Sequence, residues 1–395
     1  MWVAEKVQRV VIVGGGFGGV KAALELANNP NFDVTLITPH TRFEYHGAMY
    51  RSATGRSPLE VVVPMNEIFA DAKNVHVELD SVTELRPEAK EVEGESGRDF
   101  KYDTLIMAVG FVVNYFGIEG MALHAESMYS IAEAIKLRHR LVGAFRASHG
   151  QKPVHVTVVG AGPTGVEIVS DIKNFAKIVE GRHALNHVEV KMALVEASDR
   201  VLPTLSEESS AKGLERLNEV GVDVRLNTRV TKCMIDAVET DQGTILSDVT
   251  IWTAGNKANP LFAAYPDIFK LAPSGKVVVG EFLQSEDPSI FVIGDAAETT
   301  YSGMAQTAIH NAIALATNLK RAAENQHQQK YEPKRPAYVV PIGGEWALLE
   351  TEDGVVTGDE GWKARREADR WVLENFLVYE LANKHYQQGD RMAKI

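Results

Sequence analysis

The sequence predicts an α/β protein with two Rossmann-type dinucleotide-binding domains and a C-terminal segment that associates with a membrane or forms a dimer. Residues 9–19 and 154–165 each consist of an apolar run that ends in a glycine-rich loop, and a helical pattern and a second apolar run follow. This order is typical of a βαβ dinucleotide site. The third observation is an apolar and aromatic stretch at residues 371–379, near the C-terminus.

The N-terminal loop, GGGFGG, has Gly14, Gly16 and Gly19 at the spacing that lets a backbone approach a pyrophosphate. The strand expected at residues 32–37 is followed by Thr38, where such sites normally carry an acid for the adenosine ribose. A threonine offers one hydroxyl in place of a carboxylate. We therefore expect an intact phosphate loop with a weaker contact to the ribose.

The second loop, GAGPTG, has Gly160, Gly162 and Gly165 at the same spacing, and the helix that follows directs free N–H groups at the phosphates. The next strand, expected at residues 190–195, ends at Glu196. A carboxylate there accepts two hydrogen bonds from a ribose diol and repels a 2′-phosphate. Glu196 therefore favours NADH over NADPH.

Two dinucleotide sites in one chain predict electron transfer between them, and the usual pair of cofactors is a nicotinamide and a flavin. Apolar runs that end in glycine, at residues 105–110 and 249–255, predict close approach of the backbone to a ligand. The further residues that we expect to contact the cofactors are Val82, Ala108, Gly110 and Gly255.

The chain divides into three expected parts. They are a discontinuous FAD-binding domain of residues 1–115 and 285–335, an NADH-binding domain of residues 116–284, and a membrane or dimer segment of residues 336–395. Within the first part, the alternation of residues 75–85 and 91–102 predicts a small antiparallel insert.

Glu167 has two interpretations that the spacing leaves open. It lies at the start of the helix that faces the pyrophosphate, where its carboxylate is close to the nicotinamide. Alternatively, Thr164 and Glu167 have the S/T-x-x-E spacing of a capping box, in which the glutamate only closes the first helical turn.

An aspartate, Asp295, ends the apolar run FVIGD and is well placed to bond the hydroxyls of a flavin ribityl chain. An N-cap role is the alternative. A helix is expected from about residue 303 to 325, and Gln306 and His310 share one of its faces because they are four residues apart. Both are candidate ligand-binding residues.

Composition excludes several classes of protein. The net charge of −12 and a pI near 5.5 argue against a nucleic-acid partner. Cys233 is the single cysteine, so a disulfide framework, a CxxC redox pair and a cysteine-rich metal site are excluded, and we expect no metal. The N-terminus lacks the apolar stretch of a signal peptide, so we expect a cytoplasmic body.

The order of motifs resembles the type II NADH dehydrogenases, the single-subunit flavoprotein NADH:quinone oxidoreductases of the pyridine nucleotide-disulfide oxidoreductase superfamily. The motifs concerned are VVIVGGGFGG, AMYRSATG, VVGAGPTGVE, LVEASDRVLP, IWTAGNKANPL, FVIGDAA and AQTAIH, in that order. The resemblance implies that two electrons pass from NADH through FAD to ubiquinone or menaquinone, without proton pumping.

The resemblance also implies residue roles. The N-terminal glycines would line the FAD pyrophosphate, Ala305 and Gln306 would approach the isoalloxazine, and Glu167 would lie near the nicotinamide. The family pattern AQxAxQ lines the quinone pocket, and here His310 replaces its second glutamine. That histidine is similar to the one in apoptosis-inducing-factor-like quinone reductases, and it titrates near neutral pH. Glu167, Gln306 and His310 are the expected catalytic residues.

Two other functions are weighed against quinone reduction. One is an NADH-dependent reductase of a ferredoxin or rubredoxin, which the acidic charge disfavours because those partners are acidic. The other is an NADH-sensing flavoprotein of the apoptosis-inducing-factor type, without an enzymatic role.

The C-terminal segment predicts attachment to the inner face of the cell membrane. Basic residues at positions 361–366 precede the apolar and aromatic residues 371–379, a combination that suits an interfacial helix on anionic headgroups. A helix packed on its own domain, or on the second subunit of a homodimer, is the alternative.

Overall fold

The computed structural model describes residues 7–388. Residues 1–6, in the stretch expected to lack a signal peptide, and residues 389–395 of the expected membrane or dimer segment lie outside the described residues. The strands are, in chain order, β1 Gln8–Val13, β2 Phe32–Thr38, β3 Arg42–Glu44, β4 Val62–Pro64, β5 Val75–Leu79, β6 Val82–Arg86, β7 Glu91–Gly94, β8 Asp99–Lys101, β9 Thr104–Met107, β10 Phe111–Val113, β11 Ala125–Glu126, β12 Val154–Val159, β13 Val190–Val195, β14 Val222–Arg225, β15 Val230–Cys233, β16 Ala237–Thr240, β17 Gly243–Leu246, β18 Val249–Trp252, β19 Asn256–Ala258, β20 Val277–Val278, β21 Ile290–Val292, β22 Ala297–Glu298, β23 Tyr338–Pro341, β24 Ala347–Thr351 and β25 Gly354–Gly358.

The helices alternate with these strands through most of the chain. They are α1 Phe17–Leu26, α2 Met49–Ala53, α3 Met65–Ile68, α4 Met121–His124, α5 Ile131–Ala147, α6 Pro163–His183, α7 Glu207–Glu219, α8 Pro260–Ala263, α9 Ala305–Ala323, α10 Asp359–Glu374 and α11 Tyr379–Gln388.

The first of two large sheets is parallel, with strand order β21–β9–β1–β2–β5. Its central strand is apolar on both faces because both faces are covered. Val10 and Ile12 face the core that includes α1 and α9, whereas Val11 and Val13 face a second apolar cluster around Phe262. The predicted strand, glycine loop and helix at the N-terminus are confirmed.

The second large sheet is also parallel, with strand order β11–β18–β12–β13–β14. Helix α6 connects β12 to β13, as expected for a βαβ unit, and β13 begins and ends at the predicted residues. The predicted fold class, with two Rossmann-type parallel sheets, is therefore confirmed.

The small antiparallel insert is shorter than predicted. It consists of β6, β7 and β8, whereas β5 pairs in parallel with β2 at the edge of the first sheet. The alternation of residues 75–79 had suggested an antiparallel strand. An edge strand of a parallel sheet alternates in the same way because one of its faces is less covered, which explains the error.

The C-terminal part folds back onto the rest of the molecule. Strands β23, β24 and β25 form an antiparallel sheet, and α10 packs against it. The single interfacial helix expected around residues 371–379 is wrong, because α10 ends at Glu374 and α11 begins at Tyr379. Between them, the Phe376 ring stacks on Phe43 with a centroid distance of 4.5 Å. Within residues 7–388, every helix is too short or too polar to cross a membrane.

Candidate functional site

A cavity of about 710 Å³ lies where the carboxyl ends of strands from both large sheets meet the C-terminal part of the chain. In parallel sheets this edge is the usual place for ligands. The predicted site residues that line the cavity are Gly14, Gly16, Thr38, Val82, Ala108, Gly110, Glu167, Gly255, Asp295, Ala305 and Gln306.

The first glycine loop presents the start of α1 to this cavity. Gly16 is the N-cap residue of α1, in extended conformation, and no side chain caps the helix. The first N–H groups of α1 are therefore available to an anion such as a pyrophosphate. Gly19 lies behind the loop, where a Cβ atom would come within 1.9 Å of the Gly14 carbonyl oxygen. Only glycine fits at this position.

Thr38 occupies the end of β2 beside this loop. Its side chain is buried, and its hydroxyl accepts a hydrogen bond of 3.3 Å from the backbone N–H of His40. A Cβ atom on Gly15 would lie 2.4 Å from this hydroxyl, so the threonine packs directly against the loop. The Thr38 side chain therefore lies between the loop and the cavity.

The second glycine loop repeats this geometry at the start of α6. A Cβ atom on Gly165 would come within 1.9 Å of the Gly160 carbonyl oxygen, as at the first loop. Gly162 is the N-cap residue of α6. The Glu196 carboxylate accepts hydrogen bonds of 2.7 Å from the N–H of Ala161 and 2.9 Å from that of Ser198. Glu196 is therefore fixed beside the loop, at the end of β13.

Helix α6 connects the second loop to the cavity. Pro163, Thr164 and Glu167 line the cavity, whereas the three loop glycines and Glu196 are not among its lining residues. A ligand that extends from the phosphate loop along the first turn of α6 therefore reaches the cavity.

The capping-box interpretation of Glu167 is wrong. The N-cap of α6 is Gly162, and no side chain caps it. The Glu167 carboxylate instead accepts a hydrogen bond of 3.1 Å from Arg365, a residue of α10. Burial raises the pKa of Glu167 to about 7, against the opposing charges of Arg365 and Arg51. The carboxyl thus changes its charge near neutral pH.

Asp295 and Gln306 also line the cavity. Asp295 is inside a short 3₁₀-helix whose N-cap is Ile293, so the N-cap alternative is wrong. Burial raises the pKa of Asp295, and the charges of His46 and Lys276 oppose the shift. The Gln306 amide donates to the Ala337 carbonyl at 3.1 Å and accepts from the Ala337 N–H at 3.3 Å. The Gln306 side chain is therefore held in one orientation.

His310 lies one turn further along α9 and is not among the residues that line the cavity. Burial lowers the pKa of His310, and the charge of Lys334 lowers it further. The imidazole is therefore neutral at neutral pH.

Two residues at the cavity were missed as site residues from the sequence. Arg365 was grouped with basic residues expected at anionic headgroups, but it is only 5% exposed and it lines the cavity. Trp371 also lines the cavity and is 38% exposed, so it lies at the mouth. For Arg365, the sequence did contain a signal of burial. Arg365 and Asp369 are four residues apart, so they can pair on one helix face among apolar neighbours.

Comparison with known proteins assigns the chain to a family. A family model described as pyridine nucleotide-disulphide oxidoreductase matches residues 8–318. The type II NADH:quinone oxidoreductase NdhA of Mycobacterium tuberculosis is 33% identical over 335 residues, which are 79% of this chain and 71% of that protein. The type II NADH:quinone oxidoreductase of Haemophilus influenzae is 29% identical over 386 residues, which are 86% of each chain.

A solved structure, that of NDH2 from Plasmodium falciparum in complex with NADH, shares the fold. Its TM-score is 0.84 at 18% identity, and the match covers 97% of both chains. Two phosphate-binding loops beside one cavity define a two-dinucleotide oxidoreductase. The chain belongs to the pyridine nucleotide-disulphide oxidoreductase family and, within it, to the type II NADH:quinone oxidoreductases.

Proposed function

We propose that this protein passes two electrons from NADH through FAD to a quinone. The observation that carries the proposal is that one continuous cavity extends from the first glycine loop to the start of α6 and to α10. The relatives named above are NADH:quinone oxidoreductases, which supports the same reaction for this chain.

The residues around the first loop fit FAD. The uncapped start of α1, with Gly14 and Gly16, suits a pyrophosphate, and Thr38 and Val82 line the cavity on the side expected for the adenosine. Asp295 would bind the ribityl hydroxyls, and Ala305 and Gln306 would lie against the isoalloxazine. The chemistry that a bound flavin supplies is hydride acceptance from NADH followed by donation of two electrons to a quinone.

NADH would bind with its pyrophosphate at Gly160 and Gly162 and with one ribose at Glu196. Its nicotinamide would then lie beyond the first turn of α6, near Thr164 and Glu167. Holding two reacting groups in contact removes much of the entropic barrier to hydride transfer. The protein needs no acid or base for this step.

Proton uptake is the step in which a side chain is required. Reduction of a quinone to a quinol takes up two electrons and two protons, whereas a hydride carries two electrons and one proton. Each turnover therefore takes one further proton from the medium. Glu167 is suited to hold it, because its carboxyl lines the cavity and titrates near neutral pH. Gln306 would donate a hydrogen bond to the quinone, whereas His310 does not line the cavity and would not contact the quinone.

The acceptor decides between the proposed function and its alternatives. NADH oxidation measured in the steady state with menadione or a short-chain ubiquinone should be fast without any protein acceptor. Turnover that requires a ferredoxin or rubredoxin would instead identify a protein reductase. Flavin reduction by NADH with no turnover on either acceptor would identify a sensor.

A substitution of Gly19 by alanine should weaken flavin binding. The Cβ atom would meet the Gly14 carbonyl oxygen at 1.9 Å, and such overpacking costs about 3 kcal/mol, or roughly a hundredfold in affinity. The flavin content of the purified protein, with FAD identified by its mass, is the measurement. Gly143→Ala is the matched control, because a Cβ atom there meets nothing within 4 Å. Equal flavin content in both variants would contradict the assignment.

Replacing Glu196 by glutamine should relax the preference for NADH over NADPH. Removal of the negative charge beside the ribose should change the ratio of kcat/KM values by roughly tenfold, since repulsion from a 2′-phosphate is on the order of 1–2 kcal/mol. Asp199→Asn, an exposed carboxylate in the same loop, is the control. Unchanged selectivity in the Glu196 variant would exclude the ribose role.

We also propose that the protein lies on the inner face of the cell membrane through the turn between α10 and α11. Val378 and Tyr379 are 63% and 61% exposed, and Trp371 at the cavity mouth is 38% exposed. Apolar and aromatic side chains of this kind favour the interface of a bilayer. A quinone would then enter the cavity beside Trp371.

Val378→Asp should release the protein from anionic vesicles in a flotation assay, because a carboxylate is repelled from the interface. Leu246→Asp is the matched control, since Leu246 on β17 is 62% exposed. Flotation of the Val378 variant at the unsubstituted level would contradict membrane contact. A halved mass in solution with flotation unchanged would show that the surface joins two subunits of a homodimer instead.

A further inference from the structure

A cluster of charged side chains lies beneath the cavity, and we call it the buried ion cluster. Its members come from different parts of the chain, and each is between 4% and 7% exposed. They are Arg51 of α2, Glu60, Glu167 of α6, and Arg365 and Asp369 of α10.

Asp369 is the centre of the buried ion cluster. One carboxylate oxygen accepts a hydrogen bond of 3.0 Å from Arg365 and another of 2.9 Å from the Tyr45 hydroxyl. The other oxygen lies 2.8 Å from Arg51, which also pairs with Glu60 at 2.6 Å. Although burial raises the pKa of Asp369, the charges of Arg365 and Arg51 hold it below its usual value. Asp369 is thus a fixed negative charge.

Arg365 connects this centre to the cavity. Its guanidinium bonds to Asp369 on one side and to Glu167 on the other, and it also donates to the carbonyls of Val339, at 3.3 Å, and Gly47. Of the buried ion cluster, only Glu167 and Arg365 line the cavity. Asp369 and Arg51 therefore act on the cavity only through their charges and through the orientation of Arg365.

We propose that Asp369 and Arg51 are positioning residues of opposite sign that set how readily Glu167 holds a proton. This inference rests on the proposed function in one respect, that Glu167 holds the proton for quinone reduction. The opposite signs follow from Coulomb's law in a site from which water is excluded. The negative charge of Asp369 favours the protonated form of Glu167, and the positive charge of Arg51 favours the ionised form.

The other groups near Glu167 do not change this sign. Tyr50 of α2 is buried, and burial raises its pKa to about 12, so it is neutral at neutral pH. The phenol of Tyr45 is also buried with a raised pKa, and it donates to Asp369. Asp171, one turn further along α6, accepts a hydrogen bond of 2.6 Å from the Thr54 hydroxyl and keeps its charge in both test variants.

A purely structural role makes a different prediction. If the buried ion cluster only fastened α10 to the rest of the protein, loss of Asp369 or of Arg51 would weaken folding in the same way. Breaking a buried ion pair is destabilising whichever partner is removed. The positioning role instead predicts shifts of opposite direction in the titration of Glu167.

The experiment is an infrared titration of the flavin-loaded full-length protein. The C=O band of the protonated Glu167 carboxyl is identified by its loss in Glu167→Gln, and its intensity is followed against pH. Asp369→Asn should move the midpoint to lower pH and Arg51→Gln should move it to higher pH, each by roughly one unit. The pH profile of kcat with a short-chain quinone should move in the same directions.

Glu350→Gln is the matched control. Glu350 is 5% exposed and is held by Ser206, Ser209 and Arg335, away from the buried ion cluster. The Glu350→Gln substitution should lower thermal stability and leave the midpoint of the Glu167 titration unchanged.

Shifts of the same sign in both test variants, or no shift in either, would overturn the inference. If one variant does not fold, the sign in the other decides. Predicted infrared shifts without quinone turnover would reject the proposed function and leave the inference standing.

Discussion

The burial of Arg365 is the interaction on which the arrangement of this site depends. A guanidinium removed from water must have its hydrogen bonds satisfied, and Arg365 finds partners in α6, in β23, in α10 itself and at Gly47. These partners meet only when the C-terminal part is folded against both large sheets. The Arg365 side chain thus holds α10 at the edge of the cavity, where it contacts the carboxyl of Glu167.

The two glycine loops determine where two dinucleotides would bind relative to the cavity. Each begins a helix whose first N–H groups are unoccupied by capping side chains, and each has a glycine that no larger residue can replace for steric reasons. The first loop lines the cavity itself, whereas the second is one helical turn away from it. A dinucleotide at each loop would therefore extend into the same space, and electrons need to cross only the contact between the two ligands.

Local patterns in the sequence predicted the parts of the fold that depend on interactions between residues close together in the chain. Strands β1, β12 and β13 are short apolar runs that end at a glycine loop or an acid, and helices α1 and α6 follow the two glycine loops directly. The partner of Glu167 could not be predicted from local spacing, because Arg365 is 198 residues further along the chain. The spacing of Thr164 and Glu167 suggested a capping box, but a buried long-range ion pair holds the glutamate instead.

The expectation of one continuous helix at residues 371–379 was wrong for a related reason. Arginines beside aromatic residues are typical of a membrane interface. The same composition occurs here in α10, which buries an ion pair, and in the turn after it, where Phe376 packs on Phe43. Amphipathic patterns identify a covered face without identifying what covers it. Only the tertiary structure shows that Arg365 is buried whereas Val378 and Tyr379 are exposed.

The central claim is that electrons pass from NADH to a flavin and then to a quinone within one cavity. Anaerobic spectroscopy of the purified protein tests this claim most directly. Addition of one equivalent of NADH should bleach the visible absorption of the bound flavin, and a short-chain quinone added afterwards should restore it without any protein acceptor. Protein that binds no flavin, or a bleached flavin that the quinone fails to reoxidise, would contradict the account.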